Sequence, residues 1–183
     1  MPKERVMVFI DGSNLYHNLK LNNCGTRVDI GKLAQFLCGP RRLMRTYYFN
    51  AIVNQRDDPE KYREQEKFFD ALRRIPYFEV KLGRLERQAE ECPTCKNKIH
   101  HLEEKGVDVA LSTDMLSKAY SGQYDVAILV STDGDFAPLC QEVKNLAKHV
   151  EVVRFEKTSS KHLLDVCDKV ILLEKKNIEK FYL

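Results

Sequence analysis

No apolar run in this chain is long enough to cross a bilayer. The longest, VMVFI and VAILV, hold five residues each, where a spanning helix needs about 20. The start, MPKERVMVF, also lacks the apolar segment of a secretory signal, so the expectation is a cytoplasmic protein. Internal repeats, low-complexity tracts and Pro/Gly linkers are missing as well, which predicts a single domain over residues 1–183 with one well-formed core. Strong net charge is absent too: 30 basic against 27 acidic residues leave +3, too little by itself to mark a nucleic-acid binder. What is present is the composition of a folded soluble protein, 43% hydrophobic and 31% charged. Positive charges are grouped at Arg41, Arg42 and Arg45, at Arg73 and Arg74, at Lys81, Arg84 and Arg87, and at Lys96 and Lys98. Six cysteines without an export signal predict reduced thiols or metal ligands rather than disulfides.

Apolar runs alternate with amphipathic ones. RVMVFI, Arg5 to Ile10, predicts a buried strand, and Ser13 could cap the short helix that follows. A helix over Val28 to Leu37 comes next, then a strand over Leu43 to Val53 rich in β-formers. Asp58 and Pro59 open a helix that carries Phe68, Leu72 and Ile75 on one stripe. Tyr77 to Leu85 predicts strand, Val107 to Ala119 helix, and YDVAILVS, Tyr124 to Ser131, the clearest buried strand. Phe136, Leu139, Cys140, Val143, Leu146 and Ala147 follow at helical spacing. VEVVRF and KVILLE supply two more strands around a helix from Ser160 to Asp168. Such alternation implies right-handed crossovers and a mainly parallel sheet covered on both faces. Ligands in such sheets sit beyond the carboxyl ends of the strands.

Both of the most apolar strands end in acid. VFIDGSNLY places Asp11 at the end of the first, and STDGDF places Asp133 and Asp135 after Ser131 at the end of the other. If these strands are neighbours, three carboxylates share one rim. Two unit charges at about 4 Å and an effective dielectric near 20 repel by roughly 4 kcal/mol, so such a group raises a pKa or holds a cation. A hard ion such as Mg²⁺ suits it, since it takes oxygen ligands, keeps several waters and is completed by substrate phosphates. EKGVDVALSTDML adds Asp108 at a helix start, on the stripe of Leu111 and Met115, which predicts an inward carboxylate. Asp114, six residues on, is rotated by about 240° and leaves that stripe. Strand-end turns and helix caps would use the same acids.

Together FIDGSNLY, EKGVDVALSTDML and LVSTDGDFAPL resemble the NYN-domain family of the LabA-like type, a branch of the PIN-like nucleases. The resemblance runs in the family's order from Arg5 to about Leu173. It implies a three-layer α/β/α sandwich with a mainly parallel central sheet, whose clustered acids bind Mg²⁺ or Mn²⁺ and hydrolyse phosphodiester bonds in RNA. Carried onto this chain, it makes Asp11, Asp108 and Asp133 the principal metal ligands, with Asp135 assisting directly or through water. Asn14, Lys105, Ser131 and Thr132 would orient the acids or contact phosphate. Asp114 is a matched position that helical phase places further out, as a supporting residue. The ions would offset charge on the scissile phosphate and activate water, leaving 5′-phosphate and 3′-hydroxyl ends without any histidine or cysteine nucleophile. His17, on the first helix, could touch substrate.

ECPTCKNKIHH stands apart. Cys92, Cys95 and His100 have the C-x₂-C-x₄-H spacing of a zinc knuckle, but the fourth position is Lys105, so His101, Glu103 or another chain would have to finish the zinc shell. The competing expectation is a hairpin insert over about 86–104, with Leu82 to Gln88 paired to Lys98 to Glu103 and free thiols in the turn. Arg84, Arg87, Lys96 and Lys98 would suit either version as an arm over bound RNA. The tail KKNIEKFYL spaces Ile178, Phe181 and Tyr182 so that they could dock on a second subunit and form a homodimer. Two other classes compete with a ribonuclease. One is a non-catalytic RNA-binding module. The other is a small-molecule phosphohydrolase, whose D-x-D after the first strand is not matched by Asp11, Gly12 and Ser13.

Overall fold

The computed structural model describes residues 3–91 and 94–183. Among them, strands β1 (Arg5–Asp11), β2 (Arg42–Ile52), β3 (Phe78–Glu91), β4 (Lys98–Lys105), β5 (Val126–Val130), β6 (His149–Phe155) and β7 (Lys169–Leu173) form one sheet in the order β4-β3-β2-β1-β5-β6-β7. All pairings are parallel except that of β3 with β4. The two apolar strands that end in acid are therefore neighbours at the centre, where Ile10 pairs with Val130.

Helices α1 (Gly12–Leu21), α2 (Ile30–Cys38), α3 (Pro59–Arg73) and α7 (Lys175–Ile178) pack on one face. Helices α4 (Val107–Tyr120), α5 (Ala137–Asn145) and α6 (Lys161–Val166) pack on the other. The period of two in a strand divides the core accordingly. Val6, Val8 and Ile10 meet Leu15, Leu19, Leu33 and Phe69, whereas Met7 and Phe9 meet Leu111, Met115, Cys140 and Leu163. This is the three-layer α/β/α arrangement that the chain's alternation predicts. No helix among the described residues is long and apolar enough to cross a membrane.

Local differences from the sequence expectations have physical causes. Helix α2 begins at Ile30, not Val28, because Asp29 caps it by accepting the Lys32 N–H at 3.0 Å, while Val28 bridges Tyr182. Strand β3 runs past Leu85 to Glu91 because β4 pairs with it from Arg84↔Lys105 to Glu91↔Lys98; Leu82 and Gly83 pair with β2 instead. Asp11 lies level with Phe49 and Lys81, so the hairpin rises past that rim by about 33 Å over its remaining length. In the tail, Ile178 and Phe181 are buried in the chain's own core, and the Tyr182 hydroxyl accepts the Gly25 N–H at 2.7 Å. These side chains already have a partner surface within the chain, so the tail does not offer the apolar dimer face that its spacing suggested.

Candidate active site

Strand β1 delivers Asp11 at its carboxyl end. In the register of Met7 and Phe9, the residue turns toward the α4 face. Its Oδ1 accepts the Asn14 N–H at 3.0 Å, which caps α1, and its Oδ2 accepts the Ser131 hydroxyl at 3.3 Å. Only 6% of the residue is exposed. Burial pushes its pKa up to about 6, the charges of Asp108 and Glu104 add to the rise, and the two hydrogen bonds oppose it. The next residue must be small. A Cβ on Gly12 would fall 2.4 Å from Cζ of Tyr48, whose buried ring floors the turn into α1.

From β5 the chain leaves through Ser131, Thr132 and Asp133. Ser131 is fully buried, and its Oγ also accepts the Asp133 N–H at 3.2 Å, so one hydroxyl joins the ends of both central strands. Asp133 in turn accepts the Asp135 N–H at 3.0 Å and starts a short 3₁₀ turn, Gly134–Phe136. Asn14 Oδ1 accepts both the N–H (3.0 Å) and the hydroxyl (3.2 Å) of Thr132, which ties α1 to this loop.

Asp108 arrives from the opposite side of the rim. Gly106, at φ +83°, supplies the left-handed turn between β4 and α4. The buried stripe of α4 is Val107, Leu111, Met115 and Ala119, so Leu111 and Met115 face the core as predicted, but the stripe starts at Val107 and not at Asp108. Asp108 therefore lies exposed on the first turn rather than inward along the core. Its pKa is raised, first by partial desolvation and then by the charges of Asp133, Glu104 and Asp135.

The structure thus draws together Asp11, Asp108, Asp133 and Asp135, and adds Glu104, which the sequence did not flag. Glu104, on β4, pairs with Leu85 of β3 and shares its face. Its charge bears on both Asp11 and Asp108. The signal for it was an acid four residues before Asp108, readable only once the hairpin register is known. Lys105 is not brought to the cluster: it alternates to the opposite face of β4, where its Nζ pairs with Glu103 at 2.6 Å. Asp114 also lies apart, bonded to Lys118 at 2.6 Å and within 3.9 Å of Lys81, while the Lys118 ammonium stands 4.5 Å from the centre of the Tyr47 ring. Of the zinc candidates, Cys92 and the side chains of His100 and His101 lie outside the described residues, and Cys95 is exposed.

A second set missed by the sequence reading is an asparagine ladder on α1. The Asn18 amide donates to the Asn14 carbonyl (2.8 Å), to Asn14 Oδ1 (2.6 Å) and to the Thr132 hydroxyl (3.1 Å), and its Oδ1 accepts the Thr158 hydroxyl. Asn22 donates to the Asn18 carbonyl at 2.8 Å and accepts the Lys157 N–H at 2.9 Å. The spacing of four residues was the signal, since it stacks polar groups on one helix face.

Among the described residues, no three His, Cys, Asp or Glu side chains close into a compact ligand shell. The donor chemistry at the rim is nonetheless all carboxylate oxygen. It suits a hard cation that keeps several waters and takes further oxygens from phosphate. Cation binding would also relieve the carboxylate repulsion that adds to the desolvation raising Asp11 and Asp108.

The profile of a family described as NYN domain matches residues 5–174. A curated relative, the low amplitude and bright protein LabA of Synechococcus elongatus, is 24% identical over 169 residues, which cover 91% of this chain and 82% of LabA. Among solved structures, a protein of unknown function from Vibrio parahaemolyticus superposes with a TM-score of 0.69 at 23% identity, covering 99% of this chain and 97% of that one.

Proposed function

The chain belongs to the NYN domain family, a family of PIN-like nucleases that act on RNA, and on that premise we propose that it is a divalent-metal-dependent ribonuclease hydrolysing phosphodiester bonds at the rim of Asp11, Asp108, Asp133 and Asp135. The observation that carries this reading is the convergence, from separate chain segments, of carboxylates near enough that their charges add to the desolvation that raises both Asp11 and Asp108. Structural caps alone would not need Glu104 and Asp108 to face Asp11 from across the rim.

Asp11, Asp108 and Asp133 would hold Mg²⁺ or Mn²⁺, with Asp135 and Glu104 beside them. When bound, such an ion supplies charge compensation for the scissile phosphate and lowers the pKa of water. The protein's own residues do the positioning. Ser131 fixes Asp11 relative to Asp133 through one hydroxyl, and Asn14 fixes Thr132 relative to α1, so the ends of both central strands keep one geometry. Lys105 and Asp114, paired with Glu103 and Lys118, are given no role in this reading.

The test is cleavage of labelled single-stranded and structured RNA by wild type, Asp11→Asn and Asp133→Asn, with Mn²⁺ and with EDTA. Metal-dependent cleavage lost in both variants is expected. Equal cleavage by the variants, or RNA binding with no cleavage by the wild type, would overturn the enzyme reading.

A further inference from the structure

We propose that the outer face of α1 is a binding subsite for single-stranded RNA, with Tyr16 as a stacking platform for a base and Lys20 as the contact to the adjoining phosphate. This subsite rests on the ribonuclease reading and names where its substrate strand lies.

Helix α1 starts at Asp11, whose side chain caps it. Its three flanks are used differently. Leu15 and Leu19 face the core, Asn14, Asn18 and Asn22 are bonded to the Thr132 and Thr158 loops, and Tyr16, His17 and Lys20 are left exposed. The exposed set is ordered. The Lys20 ammonium sits 4.4 Å from the centre of the Tyr16 ring, and the His17 ring meets Tyr16 edge-on at 6.0 Å. An aromatic ring that is 43% exposed, held by a cation on one side, offers a π-face to a base and a positive charge to its phosphate at little further ordering cost. At a rise of 1.5 Å per residue, Tyr16 and Lys20 stand roughly 7 Å and 13 Å along the helix from Asp11, close enough for one strand to reach both the ring and the acids.

Charge separates this face from the rival surface. Between Asp11 and Asp29 the chain carries Lys20, Arg27 and His17 and no carboxylate. Lys20 forms no ion pair among the described residues. The β3–β4 hairpin, expected to be a basic arm, holds five basic and five acidic residues from Arg84 to Lys105. Four of its five cations are engaged: Arg84 with Glu86 at 2.6 Å, Arg87 with Asp57 at 3.5 Å, Lys96 with Glu91 at 3.8 Å, and Lys105 with Glu103 at 2.6 Å. From Arg84 to Lys105 the hairpin carries no Phe, Tyr or Trp, so the pairing of a cation with an exposed ring is found on α1 and not there.

The test is fluorescence anisotropy of a labelled single-stranded RNA oligonucleotide in EDTA at low salt, which reads binding without cleavage. Tyr16→Ala is expected to weaken binding roughly 5- to 150-fold, the span of one base–aromatic stack, and Tyr16→Phe to restore it. Lys20→Gln is expected to reduce the slope of log affinity against log salt by about 0.7, one phosphate contact on a single strand. Arg84→Gln should bind within twofold of wild type. All three side chains are exposed, so melting temperatures should stay unchanged. Wild-type affinity in Tyr16→Ala, no binding by the wild type, or a change of oligomeric state on Tyr16→Ala that marks a self-contact would overturn the subsite. Tyr16-dependent binding without metal-dependent cleavage would instead leave the subsite standing and remove the nuclease.

Discussion

Replacing Asp11 by Asn should make the metal-free protein more stable, although it removes a residue of the proposed active site. Asp11 is 6% exposed, and its pKa rises from an ordinary 3.8 to about 6. At about 1.36 kcal/mol per pH unit, that rise corresponds to a penalty of about 3 kcal/mol once the group is ionised. The sign follows from linkage. Between about pH 4 and 6 the folded protein holds a proton that the unfolded chain has released, so stability is highest below that window and falls as pH rises through it. The amide keeps both hydrogen-bonding positions, accepting the Asn14 N–H and meeting Ser131, but carries no charge. Urea unfolding in EDTA should therefore show Asp11→Asn equal to wild type near pH 4 and about 2–3 kcal/mol more stable near pH 7. Adding Mn²⁺ should reverse the order, because an ion at about 1,000 times its Kd stabilises the wild type by about 4.1 kcal/mol. A variant less stable than wild type at pH 7 in EDTA, or a difference that does not change with pH, would refute the reasoning.

Other perturbations follow from the same geometry. Gly12→Ala drives a methyl into the Tyr48 ring at 2.4 Å and should cost about 1–3 kcal/mol in urea unfolding, as overpacking does. Asn18→Ala removes the donor that joins Asn14 to Thr132; it should cost about 1–3 kcal/mol and lower kcat with KM near wild type in the RNA assay. Arg41→Ala leaves Glu151, 6% exposed and held by Arg41 at 2.7 and 3.0 Å, with only Lys169 at 3.4 Å. A loss toward the lower end of about 3–5 kcal/mol is expected.

The layered fold was legible because its signals are local. Strands buried on both faces read as continuous apolar runs, and the acids closing VMVFI and VAILV could be seen without knowing which strands are neighbours. What depends on register was not legible. Glu104 faces Asp11 and Lys105 faces away only because Leu85 pairs with Glu104 across the hairpin, and a shift of one residue would exchange them. Asp108 was placed on the wrong stripe because Val107, at the very start of α4, is the residue that enters the core. The polar bonds of Asn18 reach Thr132 and Thr158, more than a hundred residues away, and no local pattern encodes such partners. The tail's apolar residues were correctly read as needing a surface, but that surface is supplied by Phe36 and its neighbours within the same chain.

The most direct test of a cation site shared at the sheet's rim is a crystal soaked in Mn²⁺ and measured for anomalous scattering. The expected result is a peak at bonding distance from Asp11 and from at least one of Asp108 and Asp133. Peaks confined to other surfaces, or an ion that reaches only one of these carboxylates, would contradict it.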